Sequence, residues 1–592
     1  MTPQIHKNIP DSAGLNAYTA DTALQELAWL YLAQEDQPRF TPEFERMGAL
    51  VGDRLEGLAL TADKNPPTLQ IRARNGAALE AIHKHPAYVE LERYAFGEFG
   101  LAAMSHRGGV FGADAPLPPM VKYALVYLFV QAEFGLCCPL SMTDSLTRTL
   151  VKFGDKALVD QYFDQLTSQD MDTLFQGSMF MTEQVAGSDV GAIETTAKLV
   201  DGEWKLSGDK WFCSNPDAAL GMVLARPEGG EGGTRGLSLF LLPRVLPDGT
   251  RNNYRILRLK DKMGTRSMAS GEIIMEGATA FLVGDPGQGF KQMTDMINMS
   301  RLANGVRSAG MMRRAVAEAL FISKNRTAFG KRLIDLPLMR RQLMKMLVTT
   351  EQGRSMVFHT ARVLQAADGG DGEQAKVLRI LTPLVKLRTC RDARKVAGDG
   401  MEVRGGCGYI EEWSDARVLR DAHLGSIWEG TSNIVALDVA RATRRAGALD
   451  ALRSYVGKLL TEVTGKGGDT TAGADVDGVR AVFDRAADLL DRVANDPGTE
   501  GDVRLAASAV YNATSAVFMT WEDAMLQNRT GYSGDRRTLA EAVIAHKLSA
   551  RDPLMATQDS ELSDDQIAAL LDRALADGTP LGEDVADKVA AQ

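Results

Sequence analysis

Three short stretches of this sequence hold residues whose types and spacing suit chemistry. In IWEGTSN, Ile427 to Asn433, Glu429 follows Trp428 and precedes Gly430 and two hydroxyl residues. A carboxylate against an aromatic, apolar wall is desolvated, a condition that favours its work as a general base. Taken alone, a Glu in such a stretch is more often a solvated residue at a helix start. In MTEQVAGSDVG, Met181 to Gly191, Gly187 and Ser188 follow a Thr-Glu pair. Such a turn exposes backbone N–H groups and hydroxyls that can bind a planar cofactor ring or a phosphate, although most turns of this composition are plain surface turns. In GDKWFCSN, Trp211, Phe212 and Ser214 end an alternating run. Aromatics there either fill a core or form a flat wall, with Ser214 as a polar anchor.

The elements that must position these stretches fall into four units, since 592 residues exceed what one hydrophobic core organises. Residues 1–173 carry apolar residues at helical spacing, as in Asp21–Ala33 and Pro118–Phe134, broken by the Pro/Gly-rich joint FGADAPLPP. Residues 174–285 change character to short strand-like runs. ETTAKLV and EWKLSGDKW flank Asp201-Gly202, a strong hairpin signal, and GMVLARP, GLSLFLLP, RILRL and SGEIIMEG follow as short strands. Residues 286–447 return to helix, in Arg301–Lys324 and Leu336–Ala361, interrupted by the glycine-rich RGGCGY. Residues 448–592 form a last helical segment, in which TGKGGDTTAGADVDG (464–478) reads as a flexible linker or loop.

Composition narrows the function. Hydrophobic residues at 45% and charged residues at 24% fit a soluble globular protein, and the 25 Met read as helix packing. MTPQIHKNIPDSAG lacks the apolar middle of a signal peptide, and the most apolar stretch, Met120 to Leu136, carries Lys122 and Glu133. Five Cys without a C-x-x-C spacing suit a reducing interior, so the expected location is the cytoplasm. No metal is expected: His83 and His85 have no third ligand at a recognisable spacing. No strand–GxGxxG–helix unit suggests a nicotinamide site. Residues 451–592 hold 24 acidic and 14 basic side chains, the same excess as the whole chain's net charge of −10. That segment repels a phosphate backbone.

In order along the chain, MTE-x-x-x-GSD, KWFCS, DKMGTRS, GVRSAGMMRRA, NRTAFGKRL, VRGGCGY and WEGTSNI closely resemble the acyl-CoA dehydrogenase family, across about residues 80–445. RLKDKMGTRSMAS, MMRRA, PLMRR, GDGMEV, SIWEGTSNIVALDVAR and the added C-terminal segment resemble its branch around the alkylation-response protein AidB. The resemblance implies an α+β fold: an N-terminal helical domain, a central β-barrel-like domain, a helical bundle and an additional C-terminal helical segment. It implies FAD, bound non-covalently in a homo-oligomer, a dimer or tetramer with cofactor sites at subunit interfaces. Met179, Met181, Thr182, Gly187 and Ser188 would contact the flavin and its ribityl chain, and Phe212 and Ser214 would lie against the ring. Arg326 and Phe329 would reach the FAD of a neighbouring subunit, Glu402, Gly405 and Gly406 would form the phosphate-approach loop, and Thr431 and Asn433 would also touch FAD. The substrate side would take Ser188, Arg301, Trp428 and Gly430.

In that family Glu429 would remove the α-proton of an acyl-CoA thioester as hydride leaves the β-carbon, giving the 2-enoyl thioester. The base's own backbone N–H and a ribityl hydroxyl would steady the enolate oxygen. Electrons would pass to an electron-transferring flavoprotein; no membrane partner is expected. Phe212 replaces a common Trp, Ser214 a frequent Thr, Gln184 a usual Pro, and Glu402 a Gln, which places a carboxylate near phosphate. A rival reading is an AidB-like FAD protein with a DNA-binding or alkylation-protective role, for which Arg441, Arg444, Arg445, Arg536 and Arg537 would form a small basic patch. An oxygen-using oxidase of the same fold is a third. Cys137, Cys138, Met142 and Met299 are the candidates for the pocket lining.

Overall fold

Helical spacing in the N-terminal region yields helices at Thr22–Tyr31, Gln37–Gly52, Arg54–Lys64, Pro119–Phe129 and α1 (Cys137–Phe153) in the computed structural model. The structure describes residues 9–466, 470–529, 531–532, 534–550, 554 and 562–576. Asp21 caps the first helix by accepting from the Leu24 N–H. One hairpin departs from the helical expectation, β1 (Thr68–Arg72) with β2 (Ala78–His83), turned at Asn75-Gly76. Its mixed polar composition hides the alternation. His83 bonds Gln70 within that hairpin, and His85 caps the helix Pro86–Glu92.

The alternating runs become β3 (Gly177–Phe180), β4 (Thr196–Val200), β5 (Glu203–Ser214), β6 (Leu220–Pro227), β7 (Ser238–Pro243), β8 (Tyr254–Leu259) and β9 (Ser270–Val283). Asp201 and Gly202 take positive φ (51° and 85°) in the two-residue turn between β4 and β5, as the Asp-Gly pair predicts. The path β6-β4-β5-β9-β7 closes because β7 also pairs with β6, and β3 and β8 attach at β6 and β9. Closure leaves those five strands without a free edge. Leu206, Val223, Phe240, Ile256 and Ile273 fill the interior.

Five helices follow: α2 (Gly289–Asn325), α3 (Pro337–Asp368), α4 (Gly372–Arg404), α5 (Ser414–Gly425) and α6 (Ser432–Ala446). Gly310 lets α2 approach the helix Pro119–Phe129, because a Cβ there would stand 2.6 Å from the Tyr127 carbonyl oxygen. The C-terminal segment adds Ala448–Lys466, Thr470–Asn495 and α7 (Val503–Leu526). The loop expected at 464–478 is corrected: helix covers both its ends, and only 467–469 lie outside the described residues. Val476, Val479, Phe483, Ala487 and Leu490 recur at helical spacing and bury in the main core, which outweighs the glycine content before them. No helix among the described residues is long and apolar enough to cross a membrane.

Charged side chains lock this segment to the rest. Arg354 grips Asp21 through two hydrogen bonds (2.9 and 2.7 Å) and pairs with Glu351 at 3.1 Å. Arg536 lies 2.7 Å from Glu522 and also holds Glu351 and Ser355. Arg536 is thereby an interior residue and leaves the basic patch weighed for nucleic acid. Arg444 donates to the Ala494 carbonyl and Arg441 pairs with Asp438 at 3.4 Å.

Candidate active site

Glu429 sits in the six-residue connection between α5 and α6 with a left-handed backbone (φ 55°), and Gly430 follows at φ 98°. A non-glycine residue keeps that conformation only where its surroundings enforce it. Three side chains do so. Asn304 Nδ2 donates to the Gly425 carbonyl at 3.1 Å, Arg301 Nε to the Glu429 carbonyl at 3.1 Å, and Lys386 Nζ to the Gly430 carbonyl. Asp438 on α6 fixes Arg301 (2.7 Å) and Arg379 (2.6 Å). Arg301, expected on the substrate side, thus directs Nε and Nη1 at the loop backbone and Asp438. Burial holds Lys386 below the ordinary lysine range, with Cys390 and Glu429 opposing it.

The Glu429 side chain is 7% exposed. Ser300 Oγ donates to Oε1, and Oε2 makes no hydrogen bond to protein. One oxygen is held and the other is available. Arg307 Nη2 stands 3.8 Å from Oε1, an ion-pair distance too long for a hydrogen bond. Trp428 stacks on Phe134 (centroids 5.8 Å apart), the aromatic wall anticipated beside the carboxylate.

The barrel presents an exposed aromatic of its own. The ladder between β5 and β9 slips between Lys210 and Cys213, and the Trp211 N–H bonds instead to the Thr182 carbonyl at 2.8 Å. This bulge turns Phe212 outward, 61% exposed, with Lys260 Nζ 4.9 Å from its ring centre. Glu183 shapes the turn from inside. It is buried, pairs with the buried Lys210 at 2.6 Å and accepts the Glu194 N–H. Met179, Met181 and Thr182 are half-buried beside it, while Gly187 and Ser188 are exposed, with nothing within 4 Å of where a Gly187 Cβ would stand. Ser214 reaches Cys138 on α1; burial pushes that thiol up to about 11, with Arg307 and Glu429 among the charges facing it. Of the residues named for the lining, Cys138 is therefore near Glu429. Met299 lines a different groove, of about 530 Å³, with His106, Lys122 and Asp144.

DKMGTRS ties the barrel to the helices. The Thr265 N–H bonds Asp421 on α5 at 2.6 Å, and Ser267 Oγ bonds Glu133 at 2.8 Å. Burial raises Glu133 to about 7 and Asp421 to about 6. At the far end of α2 the two remaining stretches meet: Arg326 Nη1 approaches the Arg404 carbonyl (3.5 Å), and Phe329 is 91% exposed at φ 52°. Glu402, Gly405 and Gly406 are exposed beside them. From Ser300 to Asn325 the helix runs about 38 Å at 1.5 Å per residue. Thr431 precedes α6, and Asn433 in its first turn lines a groove of about 720 Å³ with Arg388, Arg391 and Arg504, where Arg504 of α7 donates to Asn433 at 3.2 Å.

Known domains cover this architecture piece by piece. Residues 8–173 match the adaptive response protein AidB N-terminal domain, 178–278 the acyl-CoA dehydrogenase middle domain, and 287–443 the acyl-CoA dehydrogenase C-terminal domain. AidB of Escherichia coli is 34% identical over 82% of this chain and 85% of its own. The chain belongs to the acyl-CoA dehydrogenase family. Among these oxidoreductases it falls in the AidB branch. Acyl-CoA dehydrogenase family member 11 of Caenorhabditis elegans is 30% identical over 84% of this chain and 82% of its own. The solved C. elegans ACDH-11, in complex with C11-CoA, superposes with a TM-score of 0.84 at 26% identity, covering 93% of this chain and 94% of that one.

Within this acyl-CoA dehydrogenase frame, the sequence singled out Glu429, Trp428 and Phe212 but missed Ser300, Asn304, Arg307 and Lys386, which hold or face Glu429 and its loop. The first three stand at i, i+4 and i+7 on α2, a spacing that places them on one helical face.

Proposed function

We propose that this protein dehydrogenates an acyl-CoA thioester between its α- and β-carbons, with Glu429 as the base. The observation that carries the reading is a buried carboxylate with one oxygen fixed by Ser300 and the other without a protein partner, next to the stacked rings of Trp428 and Phe134. Glu429 Oε2 would take the α-proton. Arg301 and Lys386 fix the carbonyls on either side of the Glu429–Gly430 peptide, so the loop need not reorganise as charge moves to the thioester oxygen. Phe212 is an exposed aromatic surface beside an open Gly–Ser turn, and exposed Arg326 suits a phosphate, so the residues present fit FAD. FAD held there would supply the hydride acceptor, and an electron-transferring flavoprotein would take the electrons onward.

The two expected contact sets, at Glu429 and at Arg326–Phe329, are separated by most of α2, too far for one cofactor in one subunit. That spacing supports an oligomer in which one copy's Arg326 and Phe329 complete a neighbour's site. The test is anaerobic addition of acyl-CoAs to the purified flavoprotein. The native chain should bleach with one class of acyl-CoA. Glu429→Gln should bleach roughly a thousandfold more slowly with FAD retained. A flavin that no acyl-CoA reduces would overturn the reading.

A further inference from the structure

The reaction as derived leaves one buried cation of the site without a task. We propose that Arg307 is a subsite for a carboxylate at the far end of a short acyl chain, so that the preferred substrate is the CoA thioester of a dicarboxylic acid. The inference rests on Glu429 being the base, and it adds the substrate class.

Arg307 is fully buried. Its Nε donates to the Ala303 carbonyl of its own helix at 3.2 Å, whereas Nη1 and Nη2 donate to no protein acceptor. The Trp428 and Phe134 ring centres lie 5.0 and 5.5 Å from the guanidinium carbon. These faces fix the plane of the cation and favour its charge, but they leave the in-plane donors unused. A desolvated guanidinium with free donors is strongly unfavourable unless an acceptor meets it, and a carboxylate is the acceptor its fork geometry fits best.

Distance ties this donor pair to the reaction. Proton transfer needs the α-carbon within about 3–3.5 Å of Glu429. Arg307 Nη2 is 3.8 Å from the same carboxylate, so its donors reach an acyl chain only a few bonds beyond the β-carbon. Charge points the same way. When Glu429 accepts the α-proton it becomes neutral, and the guanidinium loses the carboxylate within 4 Å of it. An alkyl chain would leave the cation uncompensated at that moment, whereas a terminal carboxylate keeps it paired throughout the step. The reaction itself is unchanged: the α-proton goes to Glu429, the β-hydride to the flavin, and the terminal carboxylate keeps its charge.

The test compares glutaryl-CoA with 5-methylhexanoyl-CoA, whose uncharged branched end has a similar shape. Binding is measured by calorimetry and turnover by anaerobic bleaching, on the flavin-loaded protein. The native chain should bind glutaryl-CoA at least about tenfold more tightly. Arg307→Met should erase that ratio, and Arg307→Lys should restore part of it. Equal binding of the two thioesters by the native chain would overturn the proposal, and this needs no variant. So would an Arg307→Met protein that weakens both equally, which would make Arg307 only a positioning residue for Glu429. Failure of the dehydrogenase reading looks different: bleaching would be absent with every acyl-CoA, while the calorimetric ratio would still report on Arg307.

Discussion

Two sets of fully buried arginines occupy the helical core, and they differ in how their donors are used. Arg354 and Arg536 are enclosed by Asp21, Glu351, Glu522, Ser355 and Tyr127, with every guanidinium nitrogen satisfied. Arg307, equally buried, keeps two nitrogens unbonded beside a carboxylate that itself keeps one oxygen unbonded. The first arrangement joins the N-terminal helix, α3 and the C-terminal segment into one body. The second leaves chemistry available. Burial alone does not separate structural charges from working ones; the balance of donors and acceptors does.

The sharpest way to break this contrast is to remove the anion at the centre of the satisfied network. Asp21→Ala would take one carboxylate from both Arg354, which keeps Glu351, and Arg313, which lies 2.9 Å from Asp21, and should cost about 3 kcal/mol of stability with no change in substrate preference. Arg307→Met should cost far less in the same thermal-unfolding assay. If the two costs are equal, the distinction fails.

Glu133, where the barrel meets the helices, offers a pH test. Burial raises it from 4.5 to about 7. The folded protein therefore keeps its proton up to about pH 7, while the unfolded chain releases it near 4.5. Stability falls as pH rises through that window and levels off above it. Glu133→Gln removes this dependence, so its unfolding midpoint should gain on the native chain between pH 4.5 and 7. The gain should approach about 3 kcal/mol, less what the lost Ser267 contact contributes. A difference that stays flat with pH would show the carboxylate charged throughout.

The smallest effect belongs to Ser300. Ser300→Ala removes the hydrogen bond to Oε1 while leaving Arg301 and Lys386 on the loop. The bleaching rate should drop about tenfold at unchanged acyl-CoA affinity. A change in affinity alone would move Ser300 from the base to the substrate.

Local patterns carried much of this architecture. Asp201-Gly202 specified its hairpin because only residues tolerant of positive φ fit that turn, and the two runs beside it alternate, whereas the other barrel strands showed as short apolar runs between turn residues. Glu429 stood out beside Trp428, but on its own it read as a solvated helix-start residue, and the ordered company of the other motifs is what raised it. The β1–β2 hairpin stayed hidden because it is half exposed and lacks a clean alternation. Arg307 sat in a motif, GVRSAG, whose order was readable but whose partners lie on other segments, Phe134 and Trp428. Glu183 drew attention for the turn it begins. Its partner Lys210 stands 27 residues away on another strand, so its role as an internal brace emerged only from the fold.

The long helix α2 also acts as a gear. Its Ser300–Arg307 face and its Arg326 end are parts of one rigid rod, so their relative orientation is set by residue count rather than by packing at either end. A single residue inserted between Arg307 and Asn325 would turn one end by about 100° against the other and lengthen the rod by only about 1.5 Å. Length variation is therefore forbidden in this helix in a way that it is not in the loops of the barrel.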